Sequence, residues 1–230
     1  MKRTLFGIAL IFLHFAAAGQ AIIPFVGGNL SGYNIKQNNH SSVPVVGINV
    51  GAIADIRLSN LFSLQPGLQY SRLGGKINSG LYYIVNSPSS TKYLYGINAV
   101  QLPVLLVFKT GDEDGGRFFA GAGFYVTANV SGSADIESFG GYFGHLHSTY
   151  SLDFGSEQTY NVPRFDFGFN SGAGYHLANG WELYAFYQKG FVDYFTNSYL
   201  TGARTYQAGL SVRYALKPGS NKAKQKTGLK

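Results

Sequence analysis

The chain has 230 residues, 31 of them glycine, with 16% aromatic and only 13% charged residues and no cysteine. About a quarter of the residues of a soluble globular protein are charged, so the usual solubilising surface is missing. The lack of cysteine excludes a disulfide framework, a thiolate nucleophile and an N-terminal lipidated cysteine. The net charge of +7 does not mark a nucleic-acid face, because seven of the 18 basic residues lie before residue 4 or after residue 216, leaving 11 against 11 acidic ones between.

In chain order, Lys2 and Arg3 precede an apolar stretch from Leu5 to Ala18, which runs into small residues up to Ala21. This predicts a secretory signal peptide over residues 1–20, too short and wrongly flanked for a spanning helix. No later apolar run approaches the roughly 18 residues of a membrane helix; the longest is Leu102 to Phe108. If the exported chain enters a membrane, it crosses with strands.

A first strand is expected from Ala21 to Tyr33, and the second, Val46 to Leu58, alternates Val46, Ile48, Val50 with Gly47, Asn49, Gly51. The third, Ser63 to Ser71, sets Leu64, Pro66, Leu68 and Tyr70 against Gln65, Gly67 and Gln69; the fourth, Tyr93 to Lys109, is apolar on both faces over Leu102 to Phe108. The fifth is the clearest: Phe118, Ala120, Ala122, Phe124, Val126, Ala128 and Val130 against Arg117, Phe119, Gly121, Gly123, Tyr125, Thr127 and Asn129. Arg164 to Leu177, Trp181 to Gln188 and Thr205 to Leu216 complete eight strands of period two.

The intervening segments alternate in length: 34–42, 59–61, 77–92, 110–115, 133–162, 178–180 and 196–203. If the strands run up and down in order, every long loop falls at one end and every short turn at the other, as in outer-membrane barrels. The expected fold is therefore all-β, an eight-stranded antiparallel up-and-down transmembrane β-barrel over residues 21–216, followed by a disordered Lys-rich tail over 217–230. In hydrocarbon every backbone polar group needs a partner within the protein, and a sheet provides that by closing on itself. The apolar face then meets outer-membrane lipid, and the glycine and polar face fills a narrow lumen. Tyr70, Phe118, Phe165, Trp181, Tyr206 and Tyr214 suit interfacial girdles. Proline cannot donate to a ladder; Pro24 and Pro44 fit strand starts, whereas Pro66 and Pro103 call for local bulges.

The lumen set Asp55, Arg57, Gln65, Gln69, Arg117, Asp166, Asn170, Glu182, Gln188 and Arg213 brings both charge signs into a confined space, where buried charge needs pairing. It predicts a hydrogen-bonded plug of Asp, Glu and Arg that closes the barrel, since aqueous channels need about 16 strands. No catalytic, cofactor or metal site is expected. His145 and His147 lack a third placed ligand, Ser148 and Asp153 beside them have no triad spacing signature, and "GAGFYV" and "GGNLSG" lack the strand-turn-helix setting of a phosphate cradle.

The segments "NAVQLPVLLVFKTG", "FFAGAGFYVTANVSG", "FDFGFNSGAGYHL", "WELYAFYQKGFVDYF" and "YQAGLSVRYAL" resemble the eight-stranded outer-membrane β-barrel domain common in Bacteroidota, including PorT-like proteins. Gln101 stands where that pattern usually has Glu, and the tail runs past the strand that normally closes such proteins. The resemblance implies residence in the bacterial outer membrane and insertion by the barrel-assembly machinery, with Tyr214 and Leu216 as the strand-end signal. The function expected is non-enzymatic binding of a ligand, surface polymer or envelope partner by the long outer loops, chiefly 133–162. The alternatives are an outer-membrane enzyme, a secretion component, or a secreted soluble calyx with an apolar interior.

Overall fold

The computed structural model describes residues 21–35, 40–79, 82–84, 87–111, 116–140, 144–155, 162–195 and 202–216. The expected signal peptide and Lys-rich tail lie outside them. Among the described residues there are eleven strands: β1 (Ala21–Asn34), β2 (His40–Val43), β3 (Val45–Arg57), β4 (Phe62–Ser79), β5 (Tyr82–Ile84), β6 (Ser87–Lys109), β7 (Arg117–Gly140), β8 (His145–Ser151), β9 (Phe165–His176), β10 (Trp181–Asp193) and β11 (Arg204–Tyr214).

Eight of them form a closed ring of antiparallel neighbours in the order β1-β3-β4-β6-β7-β9-β10-β11. The seam is β1 on β11, in register from Phe25 opposite Arg213 to Asn34 opposite Arg204. Each ring strand pairs with its neighbours in sequence, so closure leaves the barrel wall without an edge. The turns 58–61 and 177–180, the end of β6 and the start of β7 gather at one end with both described termini, which meet through a bridge between Ile22 and Leu216. Gly180, with φ of 90°, makes the tightest of these turns possible, since a side chain there would be strained.

Alternation turns this barrel inside out relative to a soluble one. Phe118, Phe124 and Leu210 point outward, 66–70% exposed, while Gln101, Thr127 and Asn129 are at most 1% exposed. On β7 the outward apolar set runs from Phe118 to Val130, enough to cross hydrocarbon, which takes about 9–11 residues when tilted by about 45°. Ring pairs mark the short-turn rim of this band: Phe62 with Phe108, Phe118 with Tyr175 and Trp181 with Tyr214, at 5.4, 4.7 and 5.0 Å between centroids.

Inward glycines make room for rings. A Cβ on Gly174 would stand 2.6 Å from the Phe119 ring, and one on Gly168 would stand 2.7 Å from the Tyr125 hydroxyl. Gly172 lies under Tyr184 and Gly209 under Phe186 in the same way. Small residues therefore alternate with large ones across the lumen.

Three sequence expectations are corrected. Segments 77–92 and 133–162 are not plain loops, because β4 and β6 continue as a hairpin beyond the band and β7 runs on to Gly140 and returns as β8. Only β8 stands in solvent on both faces; Ile77 on β4 and Ala134 on β7 are buried. The prolines need no bulges. The β3–β4 ladder simply skips its pairs between Ile53↔Gly67 and Ile56↔Leu64, beside Pro66, and β4–β6 skips those between Pro66↔Val104 and Gln69↔Gln101, beside Pro103, without a change of register. A missing donor removes one bond and leaves the strand count unchanged. The register shifts fall instead at Asn98/Ala99 against β7 and at Lys189/Asp193 against β11. Pro24 sits within β1, opposite Ala52, whereas Pro44 separates β2 from β3.

Candidate functional site: the filled lumen and the outer hairpin

Side chains meet across the lumen at mid-height. Gln101 on β6 is the hub: its Oε1 accepts from Gln69 Nε2, from Ser71 Oγ at 3.0 Å and from Gln207 Nε2 at 3.1 Å, while its Nε2 donates to Thr127 Oγ1 at 2.9 Å. Gln207 also donates to Gln188 Oε1, so neutral amides link β4, β6 and β7 to β10 and β11 on the far wall. Asn170 lies buried beside them, opposite Gln188 and Gly123 in register.

Towards the short-turn end, Asp55 accepts from Gln65 Nε2 at 2.9 Å and from Lys109 Nζ at 2.5 Å. His176 Nδ1 lies 3.0 Å from Glu182 Oε1, and the Arg213 guanidinium covers the Tyr184 ring at 3.4 Å with Phe25 5.7 Å away. These groups sit among two apolar clusters, Leu105, Val107, Phe119, Tyr184 and Phe186 in one and Ile23, Phe25 and Ile53 in the other. Towards the outer end, Asp166 accepts from Thr205 Oγ1 at 2.9 Å and from the Val192 N–H at 3.3 Å, and Asn129 Nδ2 donates to Tyr194 Oη at 3.0 Å. A cavity of about 10 Å³ remains between this layer and the Gln101 hub, room for one water.

The ten sequence candidates thus separate into layers. Gln65, Gln69, Asp55, Asp166, Asn170, Glu182, Gln188 and Arg213 face the lumen; Glu182 stands opposite Arg213 in register, whereas the hydrogen bonds of Asp55 and Asp166 go to partners other than Arg. Lys109, His176 and Thr205 serve the carboxylates, and Arg213 packs on rings. Arg57 is corrected: it is exposed at the rim, where its guanidinium donates to Asn60 Oδ1 at 3.0 Å. Inward parity there runs off the end of β3. Arg117 is half-buried at the same rim, opposite His176. Gln101, Gln207, Lys109 and His176 are additions; parity on β6 and β11 was the signal available for the first two.

The outer third holds what the alternation did not reveal, a core like that of a soluble protein. Tyr33, Leu73, Ile77, Ile97, Ala134, Leu152, Phe154, Val162, Tyr194 and Phe195 are all buried together. Tyr33 packs against Tyr95, Tyr194 and Phe195 with centroids 6.0, 5.9 and 5.2 Å apart. Burial, with Tyr93 alongside, pushes the Tyr95 hydroxyl up to about 12. Beyond this cap β7 and β8 project as a hairpin, in register from Ser133 opposite Ser151 to Phe139 opposite His145. Alternation puts His145 and His147 on one face, with Glu137 opposite His147, and Ser148 on the other. A hydroxyl and an imidazole on opposite faces do not make a nucleophile and base. Among the described residues no three His, Asp or Glu side chains gather as a metal site.

The model of the outer membrane protein beta-barrel domain matches residues 20–196. The chain belongs to that family. It is a protein of the bacterial outer membrane, and the outward apolar band is its lipid-facing surface. Among curated proteins none matches this sequence. The structure is similar to that of Ail from Yersinia pestis, solved with the heparin analogue sucrose octasulfate, at 13% identity and TM-score 0.40 over 86% of this chain and 99% of that one. It is also similar to Neisserial surface protein A, at 10% identity and TM-score 0.36 over 84% and 96%, and to OprG of Pseudomonas aeruginosa, at 8% identity and TM-score 0.39 over 87% and 97%.

Proposed function

We propose that this chain is a non-enzymatic barrel that works from its outer end, with a closed lumen and with the β7–β8 hairpin and its neighbours holding a ligand, a surface polymer or an envelope partner. The observation that carries the reading is the amide layer around Gln101, which ties opposite walls together between apolar clusters, with a cavity of about 10 Å³ beside it. A filled lumen does not serve as a diffusion channel, so recognition falls to what projects. The hairpin supports this with exposed Leu146, Tyr150 and Phe139, apolar groups of the kind enriched at interfaces.

In the same reading, residues 1–20 are removed as a signal peptide, the assembly machinery recognises the strand end at Tyr214 and Leu216, and the chain is PorT-like and of Bacteroidota type. The experiment is paired. Planar-bilayer recordings of refolded protein are expected to show no steady conductance, and deleting residues 139–147 is expected to abolish capture of envelope components from intact cells while leaving the heat-modifiable folded band. Steady ion flow through the unmodified barrel, or capture that survives the deletion, would refute the proposal.

A further inference from the structure

β8, like the shorter β2 and β5, pairs on a single side above the barrel wall: it bonds β7, and among the described residues no strand lies against its other edge. Open edges are ordinarily blunted by Lys, Pro, bulges or inward charge. His145–Ser151, HLHSTYS, carries no Lys, Arg, Asp, Glu or Pro, and every residue but Ser148 is exposed.

The direction of its free backbone groups is fixed. The bonds Gly140 N–H to Gly144 O and Leu152 N–H to Gly132 O, both 3.0 Å, bracket the hairpin and set the even-numbered residues of β8 as those bonded to β7. His145, His147, Thr149 and Ser151 therefore turn their N–H and C=O groups to the open edge.

We propose that this edge takes a second copy of the same strand, antiparallel, about a twofold axis through Ser148. The sequence is self-complementary in that register alone: His145 meets Ser151, His147 meets Thr149, and Leu146 meets Tyr150, the strand's two apolar side chains, 60% and 56% exposed. It also uses all seven residues of β8, and it places the bonded pairs on the odd residues, as the free groups require. Ser148 faces its own copy as a non-hydrogen-bonded pair, with Cα atoms about 4.5 Å apart. Such a contact is isologous, the commonest closed symmetry.

Barrel strands tilt about 35–45° from the membrane normal, and β8 lies along the continuation of one. A twofold along the normal would leave two such strands crossing at roughly 70–90°; a twofold in the membrane plane makes them antiparallel. The partner copy is thus presented by a facing outer membrane, and the hairpin links surfaces. The inference rests on the reading that the outer hairpin is the working end, and names its partner.

The chain has no cysteine, so Ser148→Cys supplies its single thiol, at a separation within the 4.4–6.8 Å that disulfides span. Full-length S148C protein is placed in two vesicle populations, one affinity-tagged, which are mixed and oxidised. Mixed tagged–untagged dimers are expected at about ten-fold the yield of Leu146→Cys, whose copies lie out of register, and a further Thr149→Pro, which removes a donor from the open edge only, is expected to lower the S148C yield about ten-fold. Leu146→Cys vesicles mixed with Tyr150→Cys vesicles are expected to cross-link. Equal yields at 146 and 148, no mixed dimers, or indifference to T149P would overturn self-pairing. If envelope capture is nonetheless lost on deleting 139–147, self-pairing alone fails and the outer-end reading stands.

Discussion

Replacing Gln101 by Leu tests the amide layer at its hub. The side chain is 1% exposed and takes part in four hydrogen bonds, to Gln69, Ser71, Gln207 and Thr127. Two of these partners keep an alternative: Gln69 Nε2 also reaches Ser71 Oγ at 3.2 Å, and Gln207 also reaches Gln188. The donor of Ser71 and the acceptor of Thr127 lose theirs. A typical net bond is worth about 1 kcal/mol, and a buried group left unsatisfied costs about 1–3 kcal/mol. Two lasting orphans therefore set the loss at about 2–6 kcal/mol, partly offset by the similar volume of Leu. Urea unfolding in lipid vesicles, followed by the gel shift between folded and unfolded bands, measures it. Gln101→Glu is expected to lose less, because a carboxylate accepts the three donors already present and Thr127 can turn its hydroxyl to donate. A Q101L midpoint within 0.3 kcal/mol of the parent (about the limit of such a measurement), or a Q101E loss exceeding that of Q101L, would refute the account of the hub.

Breaking the Lys109–Asp55 pair by Asp55→Asn leaves an ammonium near the mouth that is only 11% exposed. The expected loss is about 2–3 kcal/mol, below the roughly 3–5 of a fully buried pair because the rim admits water, and Lys109→Met in the same chain is expected to restore more than half in a double-mutant cycle. Gly174→Val should cost about 1–3 kcal/mol by overpacking against the Phe119 ring, with partial relief from Phe119→Leu. For Tyr95, whose hydroxyl is raised from 10.0 to about 12, the sign follows from burial favouring the neutral form. Its contribution to the cap is complete below pH 10 and is lost as pH rises through 12. Difference absorbance of the native protein against Tyr95→Phe should show one phenol titrating late; the same spectrum from both would contradict it.

Much of the wall was legible because strand parity depends only on neighbours. Phe118 to Val130 alternates cleanly, and the outward set stayed outward in the folded barrel. What parity could not supply is who meets whom across the lumen. Gln101 and Gln207 are 106 positions apart, and only the closed ring brings them together. Asp55 finds Lys109 because β4 lies between their strands and its partner Gln65 reaches the same carboxylate, a relation set by register. The outer core was hidden for a different reason: Ile77, Leu152, Phe154 and Val162 stand in segments read as long loops, where apolar residues show no sustained period to betray them. Beyond the bulge at Asn98/Ala99 the parity of β7 inverts, so Ala134 faces inward although Val130 faces out.

The central claim is that acyl chains cover the apolar face. Trp181 is the only tryptophan, so Trp181→Phe with Phe124→Trp places one indole at mid-band, on an outward position 66% exposed. In vesicles of lipids brominated at defined depths, its emission should be quenched most strongly by bromines near the chain ends, with a blue-shifted maximum. Emission indifferent to bromine depth, in protein that stays monodisperse without detergent, would contradict the account.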